Sequence, residues 1–261
     1  MMDHFDFLQK YMDLQYGVVF DKFFNLGFAR IGYCETDKTT FCNYTSTNQM
    51  LSQNQLEQLE QKMIALNRQP AVYFENKKQF KPFITFLLKN DYEKDYEDSW
   101  MFYQNKKIDA NFFNQVKKVE GKNDLKIFLA IFDKCFQAND PQNPYGNLGD
   151  YLKVAKKSWH RHHKTDRLEY FIAYKDDKPV ATSSLSNYGG IGYISNIGSL
   201  PEVRGEGFGK LMTLYSIYIS QQHGNSAHCL STEEKSYPNE FYKRIGFQTD
   251  FTALCYKKTP A

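Results

Sequence analysis

The chain has 261 residues, of which 41% are hydrophobic, 24% charged and 16% aromatic, a balance that excludes wholesale disorder. The net charge of +3 is too small to point to nucleic acid or a membrane surface, so neither is expected as a partner. No stretch gives the roughly 20 consecutive apolar residues of a membrane span. The N-terminus, Met1-Met2-Asp3-His4-Phe5-Asp6, lacks the basic region and apolar core of a signal peptide. Five cysteines, an odd number without a C-x-x-C pair, read as reduced thiols of a cytoplasmic protein.

In the first half, Ser52-x-x-Gln55 has the form of a capping box. Leu56, Leu59 and Met63 follow it at helical spacing. Ala71–Phe74 reads as a short strand. Phe80–Leu88 reads as an apolar helix with Pro82 in its first turn. The acidic stretch Asp91–Asp98 reads as a solvated loop before a strand at Trp100–Tyr103. A polar stretch, Asn114–Asp124, marks the expected boundary between an α/β domain, 1–118, and a second domain, 119–261.

The second half opens with an amphipathic stripe, Leu125, Phe128, Leu129, Phe132, Cys135 and Phe136, with Asn123 or Asp124 as the cap. A turn-rich loop, Pro141–Asp150, precedes a helix over Tyr151–Trp159. Strands over Leu168–Tyr174 and Pro179–Leu185 join through a tight turn at Lys175-Asp176-Asp177-Lys178. A third strand over Ile191–Leu200 leads into a helix over Gly207–Gln221. A strand at Ala227–Ser231, a helix at Asn239–Ile245 and a strand at Phe251–Lys257 complete an α+β order on one mixed sheet. The histidines His160, His162 and His163 sit among basic residues and read as a solvated helix end, so no metal is expected. Cys229, on a central strand, reads as a small buried apolar residue.

Seven of the 15 glycines fall between Gly189 and Gly209. The segment Ile197-Gly198-Ser199-Leu200-Pro201-Glu202-Val203-Arg204-Gly205-Glu206-Gly207-Phe208-Gly209-Lys210 runs from a strand through a glycine-rich turn into a helix. The free amides at a helix start carry partial positive charge and bind phosphate oxygens. Glycines at 205, 207 and 209 clear side chains from their path, so the segment reads as a pyrophosphate cradle. The dinucleotide spacing G-x-G-x-x-G is not met. The Walker pattern fails too, because Arg204 replaces its first Gly and Leu211 follows Lys210 where Ser or Thr is needed.

What fits is Arg-x-x-Gly-x-Gly, here Arg204-Gly205-Glu206-Gly207-Phe208-Gly209, with Leu200-Pro201 before it and Tyr242-Lys243-Arg244-Ile245-Gly246-Phe247 some 38 residues on. Together these elements resemble the acyl-CoA-binding region of the GNAT superfamily of N-acyltransferases, over roughly residues 122–258. The resemblance implies a GNAT-type, mostly antiparallel sheet flanked by helices. It also implies acetyl-CoA as co-substrate, an amine of a small molecule or peptide as acceptor, and direct transfer without an acyl-enzyme. Main-chain groups around Ile197, Gly198 and Ser199 would hold the pantetheine arm. Arg204, Gly205, Glu206, Gly207, Phe208, Gly209 and Lys210 would form the phosphate site. Tyr242 would protonate the leaving thiolate, and a homodimer is left open.

Two positions depart from the family pattern. Lys235 stands where many relatives carry an Asn contacting the pantetheine arm. Tyr193-Ile194-Ser195-Asn196 offers no carboxylate where many carry a catalytic Glu. The amine proton would go to water, Glu233, Glu234 or Glu169. An acyl-CoA-binding regulator without turnover, and a purely structural partner, are the competing readings. The first half has the marks of a degenerate copy of the same fold. Val72–Glu75 corresponds to His228–Ser231 and the helix ending at Leu88 to Phe241–Ile245, with Asp91 near the position of Gly246.

Overall fold

The computed structural model of the chain describes residues 3–104, 107–108 and 113–259. Met1 and Met2, where the N-terminal reading begins, lie outside them. Two compact units form: Met1–Trp100 with Asp250–Ala261, and Met101–Thr249. The sequence division at 118/119 differs from this for two reasons. Val116–Lys118 pairs antiparallel with the strand at Leu168–Lys175, which draws it into the second unit. Residues Ala253–Lys257 pair antiparallel with Ala71–Glu75, which draws the closing strand into the first.

The first unit opens with α1 (His4–Leu14), capped by the Asp3 carboxylate, which accepts from the amides of Phe5 and Asp6. It continues with β1 (Lys22–Asn25), β2 (Arg30–Tyr33), β3 (Tyr44–Ser46), α2 (Gln53–Ala65), β4 (Ala71–Glu75), α3 (Lys81–Lys89) and β5 (Tyr92–Tyr103). β3 and β4 run parallel, with Thr45 opposite Val72 and Ser46 opposite Tyr73. The capping box at Ser52 and Gln55 forms as the sequence predicts. Leu56, Leu59 and Met63 of α2 and Phe83 and Leu87 of α3 bury against Val72 and Phe74 of β4.

Asp91–Asp98 is the main departure from the predicted elements in this unit. From Tyr92 on it is strand, not solvated loop, because each acidic group within β5 that turns inward finds a partner far along the chain. Asp95 binds Thr40 and Lys257. Glu97 binds Asn76 and Lys94, and Asp98 accepts from the Tyr73 hydroxyl at 2.9 Å.

The second unit follows the order predicted for it, with one short strand added in front. It holds β6 (Val116–Lys118), α4 (Lys122–Cys135), α5 (Tyr151–His162), β7 (Leu168–Lys175), β8 (Lys178–Tyr188), β9 (Ile191–Ser199), α6 (Phe208–Gln222), β10 (Ala227–Glu233), α7 (Tyr237–Ile245) and the start of β11 (Phe247–Lys258). Its strand order is β10-β9-β8-β7-β6. Asp124 caps α4 from inside its first turn, accepting from the Gly121 and Glu120 amides. Asp176 and Asp177 both adopt positive φ, as a type I′ hairpin requires. The architecture is the predicted α+β fold with a mostly antiparallel sheet flanked by helices.

β8 is buried on both faces although it reads Thr182-Ser183-Ser184. The hydroxyls of these three residues are matched: Ser183 with Ser216 of α6, Ser184 with Ser195 of β9, and Thr182 donating to the Asn196 carbonyl. Buried polar groups are tolerated when paired in this way.

The chain repeats one element order. β3-α2-β4-α3-β5 parallels β9-α6-β10-α7-β11, and each set contains a parallel strand pair. α3 and α7 are both followed by a residue in the left-handed region, Asp91 (φ 60°) and Gly246 (φ 113°). The copies differ at the helix start. At α2 the Gln55 amide is served by the Ser52 side chain, whereas α6 begins after Gly207, which has none.

Candidate active site

The β9–β10 pair opens into a split. Parallel pairing covers Ala227–Cys229 against Ile191–Tyr193 and then stops, although β9 runs on to Ser199 and β10 to Glu233. On the other side of β9, the β8 register steps from Ser184–Ser195 to Thr182–Gly198. Two residues of β8 are thus spanned by three of β9, which is a bulge. Asn196 sits in it at φ 55°, a region Asn tolerates better than most residues. A bulge turns a strand locally, and here it falls where β9 leaves β10. The edge of β9 beyond Tyr193 is then free of its parallel neighbour, and an extended ligand can pair with it. The Tyr193 hydroxyl bridges the opening to Ser231 at 2.9 Å.

The cradle lies at the end of this strand. Gly205 (φ 82°) and Gly207 (φ 91°) adopt left-handed backbone, and a Cβ at either would meet nothing within 4 Å. Their role is to set the turn and leave the space beside it open. Gly209 and Gly198 serve a different purpose. A Cβ at Gly209 would lie 3.2 Å from the Phe241 ring, and one at Gly198 would lie 2.5 Å from Cβ of Cys135. These two glycines let α7 and α4 approach, so the clearing role expected for Gly209 falls on the protein's own packing.

Helical hydrogen bonding in α6 begins with the Leu211 amide donating to the Gly207 carbonyl at 2.9 Å. The amides of Phe208, Gly209 and Lys210 precede it and have no partner within the helix. The Glu206 amide is engaged by the Val203 carbonyl at 3.3 Å, and its carboxylate by Lys175 at 2.6 Å. The Arg204 guanidinium is likewise taken. It grips Asp140 with two nitrogens, Nη1 donating at 2.8 Å to Oδ1 and Nη2 to Oδ2. That contact holds the Asp140 carboxyl below its ordinary range. Arg204 and Glu206 therefore enter the structure through side chains committed to other residues, and the backbone of 207–210 is what stays open.

Asp140 belongs to a loop, residues 136–150, that is organised internally. The Asn143 amide donates to the carbonyls of Gln137 and Gly146, and Asn147 accepts from the Ala138 amide. One side of the loop is tied to Arg204. The other is tied to β10, where the Tyr145 hydroxyl meets Thr232 Oγ1 at 2.7 Å. Asp140 and Tyr145 were not legible as site residues, because their partners lie 64 and 87 residues away. The Asp140–Arg204 pair is partly shielded, so its loss is expected to cost about 2 kcal/mol, the scale of charge-assisted hydrogen bonds. For Asp140→Ala this means a melting temperature lower by roughly 4–8 °C. Since Asp140 has a depressed folded-state pKa, its contribution is present at neutral pH. It fades as pH falls through the acidic range, and the wild-type and Asp140→Ala melts should converge there.

Tyr242 packs in the core cluster against Phe241 and Phe247, with ring centroids at 5.2 and 5.8 Å. Burial raises its phenol pKa, and Tyr145 and Tyr193 add to the rise. It is a protonated hydroxyl at neutral pH, the form that a proton donor needs. No hydrogen bond of this hydroxyl is seen among the described residues.

Among the base candidates, Glu169 is set aside by position. It lies on β7, opposite Leu185 of β8, which in turn lies opposite Ile194 of β9. Two strand spacings, roughly 10 Å, separate it from β9. Its two oxygens bind Lys118 at 2.5 Å and His223 at 2.6 Å. Asp166, Glu169 and His223 bring ligand atoms within 4.8 Å of one another, but Glu169 is already satisfied without a cation. Glu233 ends β10, where its amide donates to the Tyr145 hydroxyl at 3.4 Å. Lys235 follows at φ 63° in the turn before α7. Of the histidines ending α5, His163 stacks on Trp159 at 4.2 Å. Cys229 is fully buried, and burial raises its thiol pKa, as expected of an inert packed residue.

Residues 166–249, from the turn before β7 to the start of β11, match the model of the acetyltransferase (GNAT) domain. That match lies within the second unit. The fold of the whole chain is similar to a GCN5-related N-acetyltransferase from Kribbella flavida, at TM-score 0.66 and 14% identity, covering 97% of this chain and 95% of that one. It is equally similar to a conserved protein of Staphylococcus epidermidis described as functionally unknown, at TM-score 0.66, 16% identity and coverages of 94% and 96%. A tandem GNAT protein from the clavulanic acid biosynthesis pathway aligns at TM-score 0.56 and 9% identity, covering 89% of this chain and 79% of that one. Among curated proteins, none matches the sequence. These structural likenesses bear on the fold, and they extend over the first unit as well as the second.

Proposed function

We propose that the second unit is an acyl-CoA-dependent N-acyltransferase that moves an acetyl group from acetyl-CoA to an amine. The observation that carries this reading is the opening of β9 from β10 beside the cradle at Gly205–Lys210. The pyrophosphate would accept hydrogen bonds from the amides of Gly207, Phe208, Gly209 and Lys210. The pantetheine arm would lie along β9 at Ile197–Ser199, pairing with main chain that β10 leaves free. The thioester would then project into the split, with a strand amide near Ser199 as the oxyanion donor.

The amine nitrogen attacks the thioester carbonyl and forms a tetrahedral intermediate. The C–S bond then breaks, and the thiolate takes the Tyr242 proton. With no carboxylate on Tyr193–Asn196 and Glu169 held elsewhere, the amine passes its proton to water, Glu233 or Glu234. No helix among the described residues is long and apolar enough to cross a membrane, which is compatible with a cytoplasmic acceptor such as a small-molecule or peptide amine.

A second reading, an acyl-CoA-binding regulator without turnover, is favoured by that same missing carboxylate. Free-thiol release from acetyl-CoA, measured across a panel of polyamines, amino acids, aminoglycosides and peptide amines, separates the two. Thiol release that depends on an added amine supports the transferase. Tight acetyl-CoA binding with no amine-dependent release across the panel supports the regulator.

A further inference from the structure

The first unit holds a cavity that the acyl-transfer reading does not use. β3 and β4 pair in parallel as far as Ser46 opposite Tyr73, and the Thr47 amide still donates to the Tyr73 carbonyl at 3.2 Å. β4 then runs on to Glu75, past the end of β3. Thr47 and Asn48 leave β3 at this point, and a cavity of about 140 Å³ opens at the carboxyl ends of the two strands. Crevices outside the carboxyl ends of parallel strands are the common binding places of α/β sheets. Asp3 and Phe5 at the start of α1, Glu75 and Lys77 at the end of β4, and Phe80 close this one.

We propose that this cavity binds a small primary amine in its ammonium form, with a short alkyl stem. Glu75 is the anchor. It is 8% exposed, and a carboxylate so buried needs a cation. Its Oε1 meets His4 Nδ1 at 2.6 Å, and His4 is steadied by stacking on Phe251 at 4.3 Å. Its Oε2 accepts no hydrogen bond and has Lys77 Nζ 2.6 Å away as a bare ion contact. The chain's own ammonium thus stands where the ligand's would. Lys77 is replaceable, because its side chain is 36% exposed and a pair with so exposed a lysine adds little net free energy.

An ammonium has three N–H donors to place. Glu75 Oε2 takes one. Asp3 spends Oδ1 on the Phe5 and Asp6 amides, and its Oδ2 has no hydrogen bond among the described residues. The side-chain amides of Asn48 and Gln79 line the cavity and likewise have no partner among the described residues. Phe5 and Phe80 give the stem an apolar wall. A metal ion suits the cavity less well, because among the described residues only Asp166, Glu169 and His223 bring three ligand atoms together. The inference stands without the acyl-transfer reading, since every residue it uses belongs to the first unit.

The test titrates the full-length chain, without acetyl-CoA, with n-propylamine at neutral pH and constant ionic strength, by calorimetry and thermal melt. The wild type is expected to show saturable binding in the millimolar range. Glu75→Gln should weaken it by more than about tenfold, the weight of a charge-assisted hydrogen bond. Asn48→Ala changes an exposed side chain that has no partner to lose, so it should weaken binding several-fold with the melting temperature unchanged. Lys77→Met should melt lower, because it strands Glu75, and bind propylamine several-fold more tightly, because the competing ammonium is gone. No saturable binding to the wild type would overturn the proposal. So would an affinity that Asn48→Ala and Lys77→Met leave unchanged, whatever Glu75→Gln does to the fold. Binding of acetate in place of propylamine would make Lys77 an anion site and overturn it too. Equal affinity for tetramethylammonium, which has no N–H to donate, would do the same.

Discussion

Tyr242→Phe is expected to lower the turnover number by roughly 10²–10⁴-fold, the usual contribution of general acid–base help. The substitution keeps the ring, and with it the contacts to Phe241 and Phe247. It removes only a hydroxyl for which no partner is seen among the described residues. No structural hydrogen bond is given up, so the melting temperature should move by no more than a degree or two. Acetyl-CoA affinity should also hold, because the proton is needed only as the C–S bond breaks. An interaction confined to the transition state appears in kcat and leaves ground-state binding alone. The alternative assigns Tyr242 to packing, and then the pattern reverses, with near-normal turnover and a lower melting temperature. Steady-state kinetics and a thermal melt on one preparation decide between them.

Gly207→Glu is expected to weaken acetyl-CoA binding by more than about tenfold, equivalent to roughly 1.4 kcal/mol. Two effects are mixed in that substitution and can be separated. Any side chain at φ 91° forces left-handed backbone on a residue that disfavours it, a cost of about 1–2 kcal/mol paid in stability. The charge is the second effect, placed where the cradle amides would otherwise meet phosphate. Gly207→Ala carries the backbone cost without the charge, and open space around its Cβ means no clash is added. The two variants should therefore melt at similar temperatures. Their acetyl-CoA affinities, measured by titration calorimetry, should differ, with the glutamate weaker. Equal affinities would remove the cradle from the binding site.

The elements of the second unit were legible because each carried a local signal. Turn residues at 175–178, glycines around 205–209 and the stripe from Leu125 to Phe136 fix their own segments. The capping box at Ser52 works the same way. What escaped was decided at long range. β5 reads as a charged loop because its acidic groups are matched by Thr40, Asn76, Tyr73 and Lys257, residues no local window contains. β1, β2 and β3 have three or four residues each, too few for alternation to show.

The candidate site divides along the same line. The cradle was proposed from its glycine spacing and Tyr242 from the family resemblance, and Gly205 and Gly207 adopt left-handed backbone with open space beside them. The engagement of Arg204 by Asp140 and the packing duty of Gly209 were hidden. Both depend on which segment folds against the motif, and an R-x-x-G-like pattern does not carry that information. The bulge at Asn196 left only a faint trace, since Asn is merely tolerant of positive φ.

The central claim is that the split beside the cradle is an acyl-CoA site, and calorimetric titration of the full-length chain with acetyl-CoA tests it most directly. The account predicts one site per chain, with affinity weakened more by Gly207→Glu than by Gly207→Ala and unchanged in Tyr242→Phe. No binding heat at several temperatures, with no thermal stabilisation at millimolar acetyl-CoA, would contradict it.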